Sequence, residues 1–178
     1  MKITIITGSP HKNGTSSLLA DEFIRGAKEK GHEIFRFDAA FEAVHSCLGC
    51  DYCSSTGHCI HKDSIEKLIP YLKEADIVVF VTPLYYFGMS AQLKIVIDRF
   101  YAINDILMGS SKKAILLSTA YDNHKWTFEA LEHHYKTIVN YLGWKDIGIL
   151  LAGGCGNRSM IEHSSYPEKA YEMGKKLK

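Results

Sequence analysis

The chain has 178 residues, 46% of them hydrophobic, and 21 Lys plus Arg against 20 Asp plus Glu leave a formal net charge of +1. That length suits one domain with its own core, and so even a balance offers no electrostatic footprint for nucleic acid and no field for steering a charged partner. No apolar run approaches the roughly 20 residues of a membrane span, and Ile3–Thr7 is too short for the core of a signal peptide, so a cytoplasmic protein without membrane or nucleic-acid partners is expected.

Strand and helix signals alternate along the chain. Ile3–Thr7 is short, β-branched and apolar, as in a buried strand. From Ser17 to Lys30, Leu18, Leu19, Phe23, Ile24 and Ala27 recur on one helical face opposite Asp21, Glu22, Arg25 and Lys28, and Gly31 ends the run. Glu33–Asp38 reads as a second strand. Residues 39–62 show no periodicity and read as a long loop. Asp63 or Ser64 caps a helix over Ile65, Leu68, Ile69 and Leu72, with Pro70 in its middle. Asp76–Thr82 is the clearest central strand, and Ser90–Tyr101 is helical with Leu93, Ile97 and Phe100 on one side. Lys113–Thr119 makes a fourth strand, Trp126–Tyr141 a helix, Asp146–Ala152 a fifth strand and Pro167–Leu177 a closing helix. Five near-continuous apolar strands alternating with helices predict an α/β fold with a parallel sheet covered on both faces. A chain of this size winds such a sheet in the doubly wound, flavodoxin-like order 2-1-3-4-5. The expectation is a single domain, 1–178, with a cysteine-rich loop insertion at about 39–62.

Ligands of such sheets lie beyond the carboxyl ends of the strands, which directs attention to the loops after Thr7, Thr82, Thr119 and Ala152. The first, Gly8–Ser17, is rich in glycine and hydroxyls and runs into a helix, so its N–H groups are able to converge on an anion. It is not a Walker A loop, because Thr15 stands where that motif needs lysine, and G-x-G-x-x-G is absent. A cup for one terminal phosphate remains, beside the plainer alternative of a strand-to-helix turn whose serines are caps. Gly8-Ser9-Pro10 followed by Gly14-Thr15-Ser16-Ser17-Leu18 resembles the phosphate loop of the NADPH-dependent FMN reductase and flavodoxin-like superfamily, usually G-S-x-R, two or three residues, then G-N-T/S. The chain departs from it at His11 and Thr15. The resemblance implies that Ser9, His11, Thr15, Ser16 and Ser17 surround an FMN phosphate.

Three consecutive aromatics in Pro83-Leu84-Tyr85-Tyr86-Phe87-Gly88 suit a planar apolar ring, or else simply cap the core. The segment Pro83–Arg99 matches every fixed position of the family's P-x-Y-x5-A-x-L-K-x-x-I-D-R. That resemblance assigns Pro83, Leu84, Tyr85, Tyr86, Phe87 and Gly88 to the isoalloxazine. Lys94, Asp98 and Arg99 belong to the same signature, and their spacing suits a helix-surface ion pair without a catalytic role. The loop Thr119–His124 occupies the remaining flavin edge, with the Thr119 hydroxyl as its best contact. Gly153-Gly154-Cys155-Gly156 suits a second cleft wall or a dimer contact, with Cys155 an incidental small residue.

The chain holds 5 cysteines, and Cys47-x2-Cys50-x2-Cys53-x5-Cys59 is its most specific chemical feature. The run is too compact for the usual structural zinc pattern, whereas thiolates at steps of three open the iron–sulfur motif of bacterial ferredoxins. The spacing is similar to that of the iron–sulfur flavoproteins, a branch of the same superfamily whose four cysteines hold a [4Fe–4S] cluster. The alternatives are reduced thiols, a disulfide or adventitious zinc, and His45, His58 and His61 flank the motif as further ligand candidates or as surface histidines without a role.

The resemblance implies an FMN-dependent oxidoreductase. NAD(P)H is its transient donor, and its acceptor is a small molecule or a redox protein. No side chain is nominated as catalytic; Tyr86 and His124 serve at most to donate a proton or position a substrate. A homodimer or homotetramer is also implied. A non-enzymatic flavodoxin-type carrier is the weaker reading, since such carriers dock through acidic surfaces and this chain is near neutral. A thiol or metal sensor on the same scaffold is the third.

Overall fold

The computed structural model describes residues 1–178. Strand β1 (Lys2–Thr7) leads to helix α1 (Thr15–Glu29), then β2 (Glu33–Asp38), a 3-10 turn (Ala39–Phe41) and the short α2 (Tyr52–Thr56). Next come α3 (Ile65–Glu74), β3 (Ile77–Tyr85), β4 (Gly88–Met89), α4 (Ala91–Asp98), a second 3-10 turn (Arg99–Ile103) and α5 (Asn104–Leu107). The chain continues through β5 (Lys113–Thr119), α6 (Glu129–Leu142), β6 (Lys145–Ala152), α7 (Arg158–Glu162) and α8 (Tyr166–Lys175). Five strands pair in parallel in the order β2-β1-β3-β5-β6, the doubly wound order expected; the two-residue β4 adds a sixth strand, antiparallel to the end of β3.

Because side chains alternate across a strand, the β-branched runs fill two cores at once. Val78 and Phe80 face Leu68, Leu93, Val96 and Tyr135 of α3, α4 and α6. Ile77, Val79 and Val81 face Leu19, Phe23 and Ala170 of α1 and α8. A Cβ on Gly26 would run into the Tyr171 carbonyl, and one on Gly174 into the Phe23 carbonyl, so this glycine pair lets α1 and α8 meet backbone to backbone.

Several boundaries differ from the sequence reading for physical reasons. Strand β3 runs on through Pro83 and Leu84 to Tyr85. Pro83 still faces Thr119 of β5, while β1 pairs no further than Thr7–Val81, so the missing N–H disturbs no ladder on that side. Pro70 lies inside α3 without ending it. Residues 39–62 are not wholly irregular, since they contain the 3-10 turn and α2. The helix expected to run to Tyr101 tightens into 3-10 geometry at Arg99. That expected from Trp126 begins at Glu129, because Thr127 and Glu129 N–H groups close turns on the His124 and Trp126 carbonyls. No helix is long and apolar enough to cross a membrane.

Candidate functional site

The loop between β1 and α1 is pinned at its start. Gly8 N–H donates to the Val81 carbonyl at 2.8 Å, and its own carbonyl accepts from the Ser90 hydroxyl at 2.7 Å. A side chain at Gly8 would collide with Ser90 Oγ and Leu93 Cβ, so only glycine lets the loop lie against the N-cap of α4. The loop then curls on itself: Ser9 Oγ accepts from the His11 N–H at 3.1 Å, and Ser17 Oγ donates to the His11 carbonyl at 3.0 Å. The N-cap of α1 is Gly14, which has no side chain to accept from the first-turn N–H groups. Those donors and the positive end of the helix are thus available to an anion. The Ser16 hydroxyl is buried there with no partner in the chain.

Beside this cup is a cavity of about 670 Å³. Ser9, His11 and Thr15 line it from the first loop, Pro83, Leu84 and Tyr85 from the end of β3, and Thr119, Ala120 and Tyr121 from the end of β5. Thr15 and Thr119 share a hydroxyl hydrogen bond of 2.8 Å, which ties the first loop to β5. Seven sequence-assigned residues therefore meet at one cavity: Ser9, His11, Thr15, Pro83, Leu84, Tyr85 and Thr119. Five others do not line it. Ser16 is buried away from the cavity lining, the Ser17 hydroxyl is spent on the His11 carbonyl, and Gly88 pairs with Tyr85 in the β3–β4 hairpin. Tyr86 is fully exposed, and the Phe87 ring lies 5.1 Å from that of Trp126.

The hairpin tip is strained. Tyr86 and Phe87 take φ of 45° and 62°, the left-handed pair that two-residue hairpins usually fill with Asn-Gly. Such strain persists only where the surroundings over-determine it, and it gathers at ligand clamps. Trp126 continues the aromatic contact to His124, stacked 5.7 Å away. The turn below them is held by Asp122, whose carboxylate accepts from Thr127 Oγ1 at 2.5 Å and stays below the usual range chiefly through that bond.

The last loop closes the cavity as a second wall. Cys155 N–H donates to the Ala120 carbonyl at 2.7 Å, and a Cβ on Gly156 would enter the Tyr121 ring, so the strand ends at β5 and β6 are stapled together. Cys155 is buried on this wall, and burial pushes its thiol up. The wall extends past Gly156 to Asn157 and Arg158, and Phe41 reaches the cavity from the turn after β2.

Cys47, Cys50, Cys53 and Cys59 form a separate feature. All four are free thiols lining one hollow of about 20 Å³ with Leu48, Ile60, His61, Arg99 and Tyr101. Burial pushes the Cys53 thiol up, and Cys59 and Cys47 nearby add to the effect. No three His, Cys, Asp or Glu side chains stand as ligands of a single metal ion. His45 stacks on His61 at 5.0 Å. Arg99 corrects the expectation of a surface pair: Lys94 and Asp98 do pair in the open at 2.5 Å, but Arg99 is buried and donates to Asp63 at 2.8 Å. Its Nη1 also donates to the His45 carbonyl at 2.8 Å, so Arg99 clasps both ends of the cysteine segment. Burial would raise the Asp63 carboxyl, but Arg99 and the N–H groups of His45 and Ile65 overcome it and hold that group at about 2.

A family model described as NADPH-dependent FMN reductase matches residues 1–153. The chain belongs to that family. It is 35% identical over 99 residues to an iron-sulfur flavoprotein of Methanocaldococcus jannaschii, an alignment covering 56% of this chain and 51% of that protein. The chain thus spans about half the length of the curated iron-sulfur flavoproteins it matches. Its fold is similar to that of an NAD(P)H:quinone oxidoreductase from Methanothermobacter marburgensis, with TM-score 0.78, 19% identity and coverage of 99% and 95% of the two chains. It is also similar to that of an FMN-dependent NADH-azoreductase from Bacillus anthracis solved with FMN, with TM-score 0.68, 17% identity and 98% of each chain covered.

For this FMN reductase family member, sequence reasoning missed Phe41, Asn157 and Arg158 as cavity residues, while Tyr121 lies in the Thr119–His124 loop expected at the cavity's edge. Asn157 and Arg158 were within reach, since they continue the glycine-rich run after the last strand at the ligand edge of the sheet. Phe41 carries no such signal, because the turn after β2 shows no periodicity.

Proposed function

We propose that the chain is an FMN-dependent oxidoreductase using NAD(P)H and a small-molecule or redox-protein acceptor, with its 178 residues forming one flavin-binding unit. One observation carries the reading: a cavity of about 670 Å³ lies between the open N-terminus of α1 and the ends of β3 and β5, in a chain matched by the family model. The residues fit the group. The side-chain-free cap at Gly14 and the hydroxyls of Ser9 and Thr15 suit a phosphate. Leu84, Tyr85 and the hydroxyl of Thr119 suit an amphipathic ring. Bound FMN would supply the hydride and electron chemistry. The chain's part is to hold the phosphate by backbone donors, fix the ring between the ends of β3 and β5, and screen it from water with the Tyr121 and Phe41 side chains. No side chain is required as acid or base.

The further reading is that Cys47, Cys50, Cys53 and Cys59 hold a [4Fe–4S] cluster. The softness of four thiolates in one short segment and the similarity to iron-sulfur flavoproteins support it, and their hollow of about 20 Å³ would have to widen to admit the cluster. The exposed rings of Tyr86, Tyr121 and Trp126 favour a homodimer or homotetramer, which sedimentation measures directly.

The deciding experiment is the absorbance spectrum and iron content of protein purified without oxygen, then NAD(P)H oxidation with quinone, free flavin or ferricyanide. Flavin bands with turnover are expected, and about four irons per chain with a shoulder bleached by dithionite if the cluster is present. Flavin without iron removes the cluster reading alone. Flavin without turnover on any acceptor turns the protein into a carrier. No flavin after reconstitution refutes the proposal.

A further inference from the structure

The phosphate cup is built of amides and hydroxyls, and its loop carries no arginine; position 11 is histidine. The loop's one lysine, Lys12, lines the cavity as an ammonium 4.9 Å from the centroid of the Phe41 ring and offers no bidentate fork. Elsewhere in the molecule the arginines are engaged by carboxylates: Arg36 by Asp21 and Asp38, Arg25 by Glu22, Arg99 by Asp63. Arg158 alone brings a guanidinium to the cavity that Ser9, His11 and Thr15 line.

Its placement is fixed by the chain around it. The Cys155–Ala120 hydrogen bond and the contact of Gly156 with the Tyr121 ring bring the last loop over the end of β5. Asn157 then caps the next turn by accepting from Met160 N–H at 3.0 Å, so Arg158 opens α7 on the cavity side of that cap. Arg158 Nε donates to Glu162 Oε1 at 2.6 Å, and its terminal nitrogens make no hydrogen bond within the chain. With 38% of its side chain exposed, the guanidinium is held at one nitrogen and open at the other two, which is the fork that grips phosphate oxygens.

We propose that Arg158 binds the terminal phosphate of the flavin, supplying from the last loop the guanidinium that the first loop lacks. The inference rests on the flavin reading above and adds to it the residue that distinguishes FMN from riboflavin.

The test is titration of the apoprotein with FMN and with riboflavin, for the parent, Arg158→Gln and Arg158→Lys. A charge-assisted bond of this kind sets the expected loss of FMN affinity in R158Q at about ten- to hundredfold. Riboflavin binding should stay within about twofold, and R158K should fall between. The double variant H11R/R158Q should recover part of the FMN affinity, because it returns the charge through the first loop. Equal losses for both flavins, or no loss for either, overturn the proposal. So does a raised KM for NADPH, with that for NADH and FMN affinity unchanged, because the guanidinium would then serve the nicotinamide nucleotide's phosphate. A parent chain that binds neither flavin refutes the flavin reading itself, an outcome separable from failure of the variants.

Discussion

Replacing Asp63 by asparagine removes one charge from an ion pair in which Arg99 and Asp63 expose only 1% and 2% of their side chains. The carboxylate accepts from Arg99 Nη1 at 2.8 Å, His45 N–H at 2.9 Å and Ile65 N–H at 3.1 Å. The substituted amide would keep one acceptor oxygen and leave the guanidinium without its counter-charge. Breaking a buried pair on one side costs about 3–5 kcal/mol. The carboxyl's fall from 3.8 to about 2 gives an independent figure: at roughly 1.36 kcal/mol per pH unit it is worth about 2–3 kcal/mol near neutrality. The two figures agree to within the precision of either. Urea unfolding at pH 7 followed by circular dichroism should show D63N less stable by about 2–5 kcal/mol. The acid limb gives the sign. A carboxyl lowered in the folded state stabilises fully above its unfolded value and loses that stabilisation as pH falls through the folded one. The parent should therefore weaken between about pH 5 and 2, and D63N should lack that part of the slope. R99M leaves Asp63 its N–H donors but frees the base of the cysteine segment, so its thiols should react faster with a thiol reagent in native protein. A loss under about 1 kcal/mol in D63N with the acid slope unchanged would mean that the pair is screened as a surface pair is, and the reasoning fails.

Gly8→Ala drives a Cβ toward Ser90 Oγ and to 2.7 Å from Leu93 Cβ, so a loss of about 1–3 kcal/mol in stability and weaker FMN binding are expected from melting curves and titration. Tyr86→Asn keeps the turn and suits its φ of 45°, and since the tyrosine side chain is fully exposed it should raise stability by about 1 kcal/mol, or roughly 2–4 °C in Tm; a lower Tm contradicts the strain reading. Thr119→Val leaves Thr15 Oγ1 without its 2.8 Å partner at nearly constant volume, for a loss of about 1 kcal/mol by urea unfolding and a measurable drop in FMN affinity.

The sheet was legible because its cause is local. Each parallel strand is an apolar run buried on both faces, and each helix shows its own period, so alternation leads to a parallel sheet, and the chain's size with the doubly wound precedent leads to β2-β1-β3-β5-β6. The misplaced ends have causes outside the segment. Nothing in Pro83-Leu84-Tyr85 reveals that β5 and a two-residue partner strand extend β3 past Thr82; that depends on register with Thr119 and on Gly88 folding back. The candidate site divides the same way. The first loop and the end of β3 were readable from residue types, and they do meet at one cavity. Which residues point inward was not readable. Two consecutive left-handed residues turn Tyr86 to solvent and Phe87 onto Trp126, although in the sequence they look like Tyr85.

Arg99 shows the limit most sharply. Spacing places it beside Lys94 and Asp98 on an exposed helix face, an inference that assumes the helix keeps its pitch. The helix tightens at Arg99, and the partner that captures the guanidinium is Asp63, which sequence alone marks as a cap candidate for α3. The consequence for the molecule lies in the geometry of α4. Its N-cap, Ser90, binds the Gly8 carbonyl of the loop between β1 and α1. The arginine that follows its last residue binds Asp63 and the His45 carbonyl at the base of the cysteine segment. A helix of 8 residues at 1.5 Å per residue spans about 12 Å, so one rigid strut fixes how far the four thiols stand from the cavity at the strand ends. Substitutions at either end of α4 should then disturb both places, whereas breaking the exposed Lys94–Asp98 pair should disturb neither.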